Sequence, residues 1–175
     1  DFDSDKTFKQ VCDFFSARLE VIARDKGYSA DTVYAVLASG VFEPVDMLAR
    51  CETLMTARNK EPELFEDLAV AYARANNLRD AALGCDIDKT LLGEPEIALD
   101  NAIDKVAEGV KSALAKGQYN HALEFLASLR APIDTFFEEV MIMDKDEKLR
   151  TNRLRLLNRF VAVFKDVADF GKLAG

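Results

Sequence analysis

The stretch Cys85-Asp-Ile-Asp-Lys-Thr-Leu-Leu-Gly-Glu-Pro-Glu96 gathers carboxylates in the manner of a calcium loop. Such a loop needs glycine at its sixth position for the sharp turn and a carboxylate at its twelfth. Counted from Asp86, Leu91 and Ile97 stand in those places, so the stretch reads as a solvated connection. His121 is the sole histidine, and no serine or cysteine pairs with it in a local nucleophile signature. It reads as a residue on a helix surface. Cys12, Cys51 and Cys85 are far apart and match no zinc or redox spacing, which points to reduced thiols, with Cys12 and Cys51 packed as small hydrophobes. A Gly-rich phosphate loop and a dinucleotide fingerprint are both absent. The sequence therefore offers no catalytic residue, no metal site and no cofactor site, and argues against a stand-alone enzyme.

Two polar constellations have the chemistry of RNA recognition instead. Along a helix near the C-terminus, at about 100° per residue, Leu149, Leu156, Leu157, Phe160, Phe164 and Val167 form one face. Lys148, Asn152, Arg155 and Arg159 line up opposite, either as an RNA-contacting stripe or as the ordinary wet face of a helix. Arg153 projects into the apolar face, where an unpaired guanidinium is too costly. It must reach an acidic residue or a helix-end carbonyl of a neighbouring helix, and Asp134 is the expected partner. The second constellation is Tyr72, Arg74, Asn76 and Asn77. Guanidinium planes and aromatics stack on unpaired bases and amides bond to base edges, though the same residues also suit a helix cap.

The elements that must position these groups are helical throughout. Apolar residues recur at helical spacing, and no segment alternates as a half-buried strand does. The spacing predicts an all-α antiparallel bundle of about eight helices: Thr7 to Lys26, Asp31 to Ser39, helices opening at Pro44 and Pro62, one from Pro95 to Lys116, Tyr119 to Leu129, a seventh from Pro132 through Met141, and Asp146 to Phe170. Residues 1–175 read as a single domain. Sub-bundles over about 7–80 and 95–171 are joined by a loop, 82–94, that lacks a period and is the expected place of mobility.

The net charge is -8, which on average disfavours a polyanion. The distribution is uneven: residues 1–109 hold 12 basic and 22 acidic residues, whereas 110–175 hold 11 and 9. A local basic patch on an acidic body can bind RNA while the surrounding field rejects non-specific polyanions. No run of apolar residues is long enough for a membrane span and no leader is visible, so a cytoplasmic setting is expected. The chain opens on Asp1 rather than Met, which reads as a fragment of a longer chain.

A resemblance adds to this reading. His121-Ala-Leu-Glu-Phe-Leu-Ala-Ser-Leu-Arg-Ala-Pro-Ile-Asp-Thr-Phe-Phe-Glu-Glu-Val-Met-Ile-Met143, then Leu149-Arg-Thr-Asn-Arg-Leu-Arg-Leu-Leu157 and Val167-Ala-Asp-Phe-Gly-Lys-Leu173, resemble the C-terminal region of the bacterial glycyl-tRNA synthetase beta subunit family. Asp13-Phe-Phe-Ser-Ala-Arg-Leu19, Ala35-Val-Leu37, Leu48-Ala-Arg50 and Tyr72-Ala-Arg-Ala-Asn-Asn-Leu78 extend it, in order, over almost the whole chain. The resemblance implies a helical anticodon-binding domain of the DALR type. It also implies a parent glycine–tRNA ligase that uses ATP and Mg2+ and works as alpha and beta subunits, with glycine activation on the alpha subunit. The partners implied are the anticodon loop of tRNA(Gly), the remainder of the beta subunit and the alpha subunit. Arg74 and Asn77 match an Arg and an Asn of the family's fourth-helix motif, while Ala73 stands where Lys is common. Asn152 and Arg153 match its Asn-Arg pair. Lys148, Asn152, Arg155 and Arg159 are the expected anticodon-loop contacts, with Arg74 and Asn77 second. Two alternatives stay open: a helical protein–protein scaffolding module without direct anticodon contact, and the equivalent domain of an arginyl enzyme. The Phe-Phe-Glu-Glu-Val-Met-Ile-Met run and the Val-Ala-Asp-Phe tail favour the glycyl family over the second.

Overall fold

A computed structural model describes residues 4–41 and 43–173, apart from the side chains at 4–6, 8, 9 and 12. The packing expected of Phe8 and Cys12 lies outside the described residues. Among the described residues there are eight α-helices and no strand: α1 (Ser4–Asp25), α2 (Ala30–Ala38), α3 (Pro44–Lys60), α4 (Pro62–Leu78), α5 (Glu94–Ala115), α6 (Tyr119–Ala127), α7 (Arg130–Glu139) and α8 (Glu147–Lys165). Single 3-10 turns occupy Ala81–Leu83, Lys89–Leu91 and Phe170–Lys172.

The punctuation read from sequence explains most boundaries. Pro44 and Pro62 open α3 and α4, where a missing N–H costs nothing. Gly27 and Gly117 follow α1 and α5 with φ of 89° and 65°, the left-handed conformation that stops a helix. Asp146 starts α8 by accepting hydrogen bonds from the Lys148 and Leu149 N–H groups at 2.8 and 3.3 Å.

Two ends differ from the sequence expectation. Helix α7 stops at Glu139, leaving Met141 exposed on the connection to α8. Helix α8 stops at Lys165, not at Phe170, because the chain turns back there to bury Phe170. That ring lies 5.0 Å from Phe164, 6.0 Å from Tyr72 and 5.8 Å from Phe65 between centroids. The Asp169 N–H meanwhile donates to the Ala35 carbonyl on α2 at 2.9 Å. Arg50 completes this end: its guanidinium donates to the Asp166 and Val167 carbonyls just past α8 and pairs with Asp46 at 2.7 Å. A cation is well placed at a helix C-terminus, where carbonyl dipoles converge.

The described buried side chains form one core cluster drawn from both halves of the chain. Helix α8 runs through it, packed against α4 on one side and α5 on another, with the Ala81–Leu83 turn laid across a third. The connection expected to be loose is fastened to α8. Asn158, buried, donates through Nδ2 to the Asp80 and Gly84 carbonyls at 2.7 Å each and accepts from Arg79 at 3.3 Å. A buried amide side chain requires such partners.

Asn158→Ala removes these bonds from a buried site and should lower stability by about 1–3 kcal/mol. Urea unfolding measures the loss, and hydrogen exchange over residues 79–85 should speed up with it. Wild-type stability and unchanged exchange would mean that the clasp is idle.

Candidate nucleic-acid interface

The stripe expected on α8 is mostly engaged inside the protein. Lys148 is exposed at the first turn. Asn152 is 3% exposed and clasps one peptide unit: its Oδ1 accepts from the Asp88 N–H at 2.7 Å and its Nδ2 donates to the Asp88 carbonyl at 3.0 Å. Arg155 donates through Nε to the Leu83 carbonyl at 3.1 Å. Arg159 is bonded to Asp100 and Asp104 on α5. The expectation of an open Asn152–Arg155–Arg159 stripe is therefore corrected. Residues 79–93 lie over that face of α8, and their backbone groups need hydrogen-bond partners. The Asp100 carboxylate, 2% exposed, needs cations, which Arg159 and Lys89 supply, the latter at 3.0 Å.

Arg153 also has different company from that expected. It pairs with Glu96 at 2.8 Å and Asp144 at 2.8 Å, and donates to the Met141 carbonyl at 2.9 Å. Asp134 is instead held by Arg130, one turn earlier on α7, which also reaches Asp67 on α4. Glu96 is the better partner because it is buried at the start of α5, where it reaches back to accept the Gly93 N–H at 2.6 Å. Backbone donation from Asp146, then the Arg153 guanidinium, hold the Asp144 carboxyl below the usual aspartate range.

The end of α4 provides an open cationic surface. Arg74 and Asn77 are both exposed, one turn apart. The Arg74 guanidinium lies over the Phe137 ring of α7, 4.0 Å from its centroid. A guanidinium stacked on one face by an aromatic ring is held in orientation, and its edges and outer face remain available to a base or phosphate. Tyr72 and Asn76 do not join this surface. Tyr72 is buried in the aromatic cluster with Phe164 and donates to Asp169 at 3.3 Å. Burial, then the nearby Asp169 carboxylate, push its hydroxyl up to about 12. The Asn76 amide oxygen accepts from Arg79 at 2.9 Å. Sequence reasoning missed Phe137, whose only signal was its place in a Phe-Phe pair beside the apolar face of α7. His121 is exposed, as read; Cys51 is buried and its thiol pushed up to about 11 by burial, while Cys85 is exposed.

Residues 68–170 match the family model described as a DALR anticodon binding domain, a span that contains α4's second half, α5 to α8 and the Arg74–Phe137 pair. The chain belongs to the DALR anticodon-binding domain family. It is also similar to proteins named glycine–tRNA ligase beta subunit. Identity is 40% over 177 residues with that of Acidobacterium capsulatum, covering 94% of this chain and 25% of the relative. With that of Geobacter metallireducens it is 38% over 165 residues, 94% of this chain and 24% of the relative. With that of Vibrio cholerae it is 40% over 169 residues, again 94% and 24%. The DALR domain described here thus spans about a quarter of the length of the curated relatives it matches.

Arg153→Met leaves the Glu96 carboxylate buried without its cation and should lower stability by about 3–5 kcal/mol at neutral pH. The deficit should shrink as pH falls through the aspartate range, because the Asp144 carboxyl, which Arg153 helps to hold low, then takes up its proton and no longer needs the guanidinium. Thermal unfolding of the two proteins at about six pH values, from about pH 7 down to about pH 3, checks this; a deficit independent of pH would assign the loss to groups other than Asp144.

Proposed function

We propose that this domain reads the anticodon loop of a glycine tRNA as part of glycine–tRNA ligase. The observation that carries the reading is the family match over residues 68–170, the same span that presents a stacked guanidinium beside an exposed amide. Glycine has no side chain by which an enzyme can tell it apart, so accuracy on the RNA side must come from the tRNA. Glycine anticodons end in two cytosines, each offering, when unpaired, an N4 donor and N3 and O2 acceptors. Arg74 and Asn77 have the donors for those acceptors, Asn77 can also accept from N4, and Phe137 holds Arg74 in place. Lys148, exposed at the start of α8, is suited to a backbone phosphate. Asn152, Arg155 and Arg159 act behind this surface by fixing α8 to residues 83–88 and to α5.

In this reading glycine activation, with ATP and Mg2+, belongs to the alpha subunit, and the remainder of the beta subunit links that chemistry to the domain, in the cytoplasm. Among the described residues no group of three or more His, Cys, Asp or Glu is placed to hold a metal ion. No helix of the described residues is long and apolar enough to cross a membrane.

A second reading, a helical scaffolding module without direct anticodon contact, draws support from α1. Its Val11, Phe14, Phe15, Val21 and Ile22 are all exposed, a surface of the kind that docks on another protein. Salt separates the two readings: tRNA binding weakens steeply as salt rises, whereas apolar docking responds little.

Replacing the anticodon cytosines should weaken tRNA binding at fixed salt, and Arg74→Ala with Asn77→Ala should cost about 1–3 kcal/mol per lost contact. Filter binding or anisotropy titration measures both. Equal affinity for the two tRNAs would leave the fold in place and remove this function.

A further inference from the structure

The last turns of α4 carry cationic groups on two sides. At about 100° per residue, Arg74 and Asn77 face one way and Asn76 and Arg79, just past the helix end, face the other. On that second side lies a cleft of about 470 Å3 between the end of α4, the 81–85 turn and the last half of α8. Asn76, Arg79, Cys85, Val161, Lys165 and Asp169 line it. Arg79 is held there by neutral groups: Nε donates to Asn76 Oδ1 at 2.9 Å and Nη1 to Asn158 Oδ1 at 3.3 Å. Amide oxygens fix a guanidinium without cancelling its charge, in contrast to Arg153 and Arg159, which face carboxylates. Among the described residues neither Arg79 nor Lys165 is in an ion pair, so the cleft holds two cations against the single carboxylate of Asp169. That carboxylate accepts from Tyr72 at 3.3 Å and from the Gly171 N–H at 3.1 Å, which leaves it acceptor capacity for an exocyclic amine.

Cations, a carboxylate and a small apolar wall in a space of this size suit one unstacked nucleotide, with phosphate toward Lys165 and the base amine toward Asp169. We propose that this cleft holds a single unpaired nucleotide of the bound RNA, a site distinct from the Arg74–Phe137 surface. The proposal rests on the reading that the domain binds tRNA. A single-stranded loop seated over the end of α4 meets both sides at once.

Cys85 supplies the probe. In a Cys12→Ser chain, Cys85 is exposed and Cys51 is a buried, slowly reacting reference. Iodoacetamide labelling of Cys85, followed by mass spectrometry, is compared for free protein, protein saturated with glycine tRNA, and protein with a fully paired RNA duplex. Glycine tRNA should slow labelling about tenfold while the duplex does not, and Lys165→Gln should weaken tRNA binding by about fivefold to tenfold while Lys116→Gln does not. Labelling at the free rate with tRNA bound in the same sample overturns the cleft and leaves the anticodon reading standing, as does equal protection by the duplex. Failure to bind tRNA at all sinks the anticodon reading and the cleft with it.

Discussion

Helix α8 can lie inside the protein only because the polar side chains along its buried length, Asn152, Arg153, Asn158 and Arg159, meet fixed internal partners. A helix with Asn152, Arg153, Asn158 and Arg159 along the part that crosses the core incurs a large desolvation cost. Glu96 and Asp100, both buried on α5, neutralise the two guanidinium groups, and the asparagines take up backbone groups of residues 80–88. The dependence is mutual. The connection between α4 and α5 packs Leu83 and Ile87 on the core and hands its backbone groups to the asparagines of α8; α5 in turn is capped by the same Glu96 that receives Arg153.

This arrangement decides where a polyanion can be met. Of the basic residues clustered in the sequence, Arg153 and Arg159 are neutralised by carboxylates and Arg150 and Arg155 are tied to backbone carbonyls, so the open cations are Lys145 and Lys148 at the start of α8, Arg74 on Phe137, and Arg79 with Lys165 around the cleft. The end of α4 is the common element. It is held from behind by Tyr72 against Phe164 and Phe170, while Arg130 ties the first half of α4, through Asp67, to Asp134 of α7. A recognition surface gains from such support, since contacts to unpaired bases demand groups whose orientation is already set.

Much of this was legible in the residues. Prolines, glycines and the 3.6-residue period gave the eight helices, because those signals act within a turn of the chain. The need of Arg153 for a counter-charge was legible from its place on the apolar face. Its partner was not, because Glu96 is 57 residues upstream and only the packing of α5 on α8 brings it close. Asn152, Arg155 and Arg159 were expected in the open because a helical projection separates apolar from polar sides but cannot tell water from the peptide segment on Asn152 and Arg155 or from the α5 carboxylates on Arg159. The end of α8 was missed in the same way, since Phe170 leaves the helix to pack back on Phe164 of its last turn and on Phe65 and Tyr72, which are distant along the chain.

The most direct measurement of α8 as an internal strut with recognition at the end of α4 is hydrogen–deuterium exchange of the 175-residue chain with and without glycine tRNA. Peptides within 150–160 should exchange slowly in both states, and tRNA should protect the end of α4 and the α7–α8 connection. Rapid exchange of 150–160 in the free protein, slowed only when tRNA is added, would contradict the account.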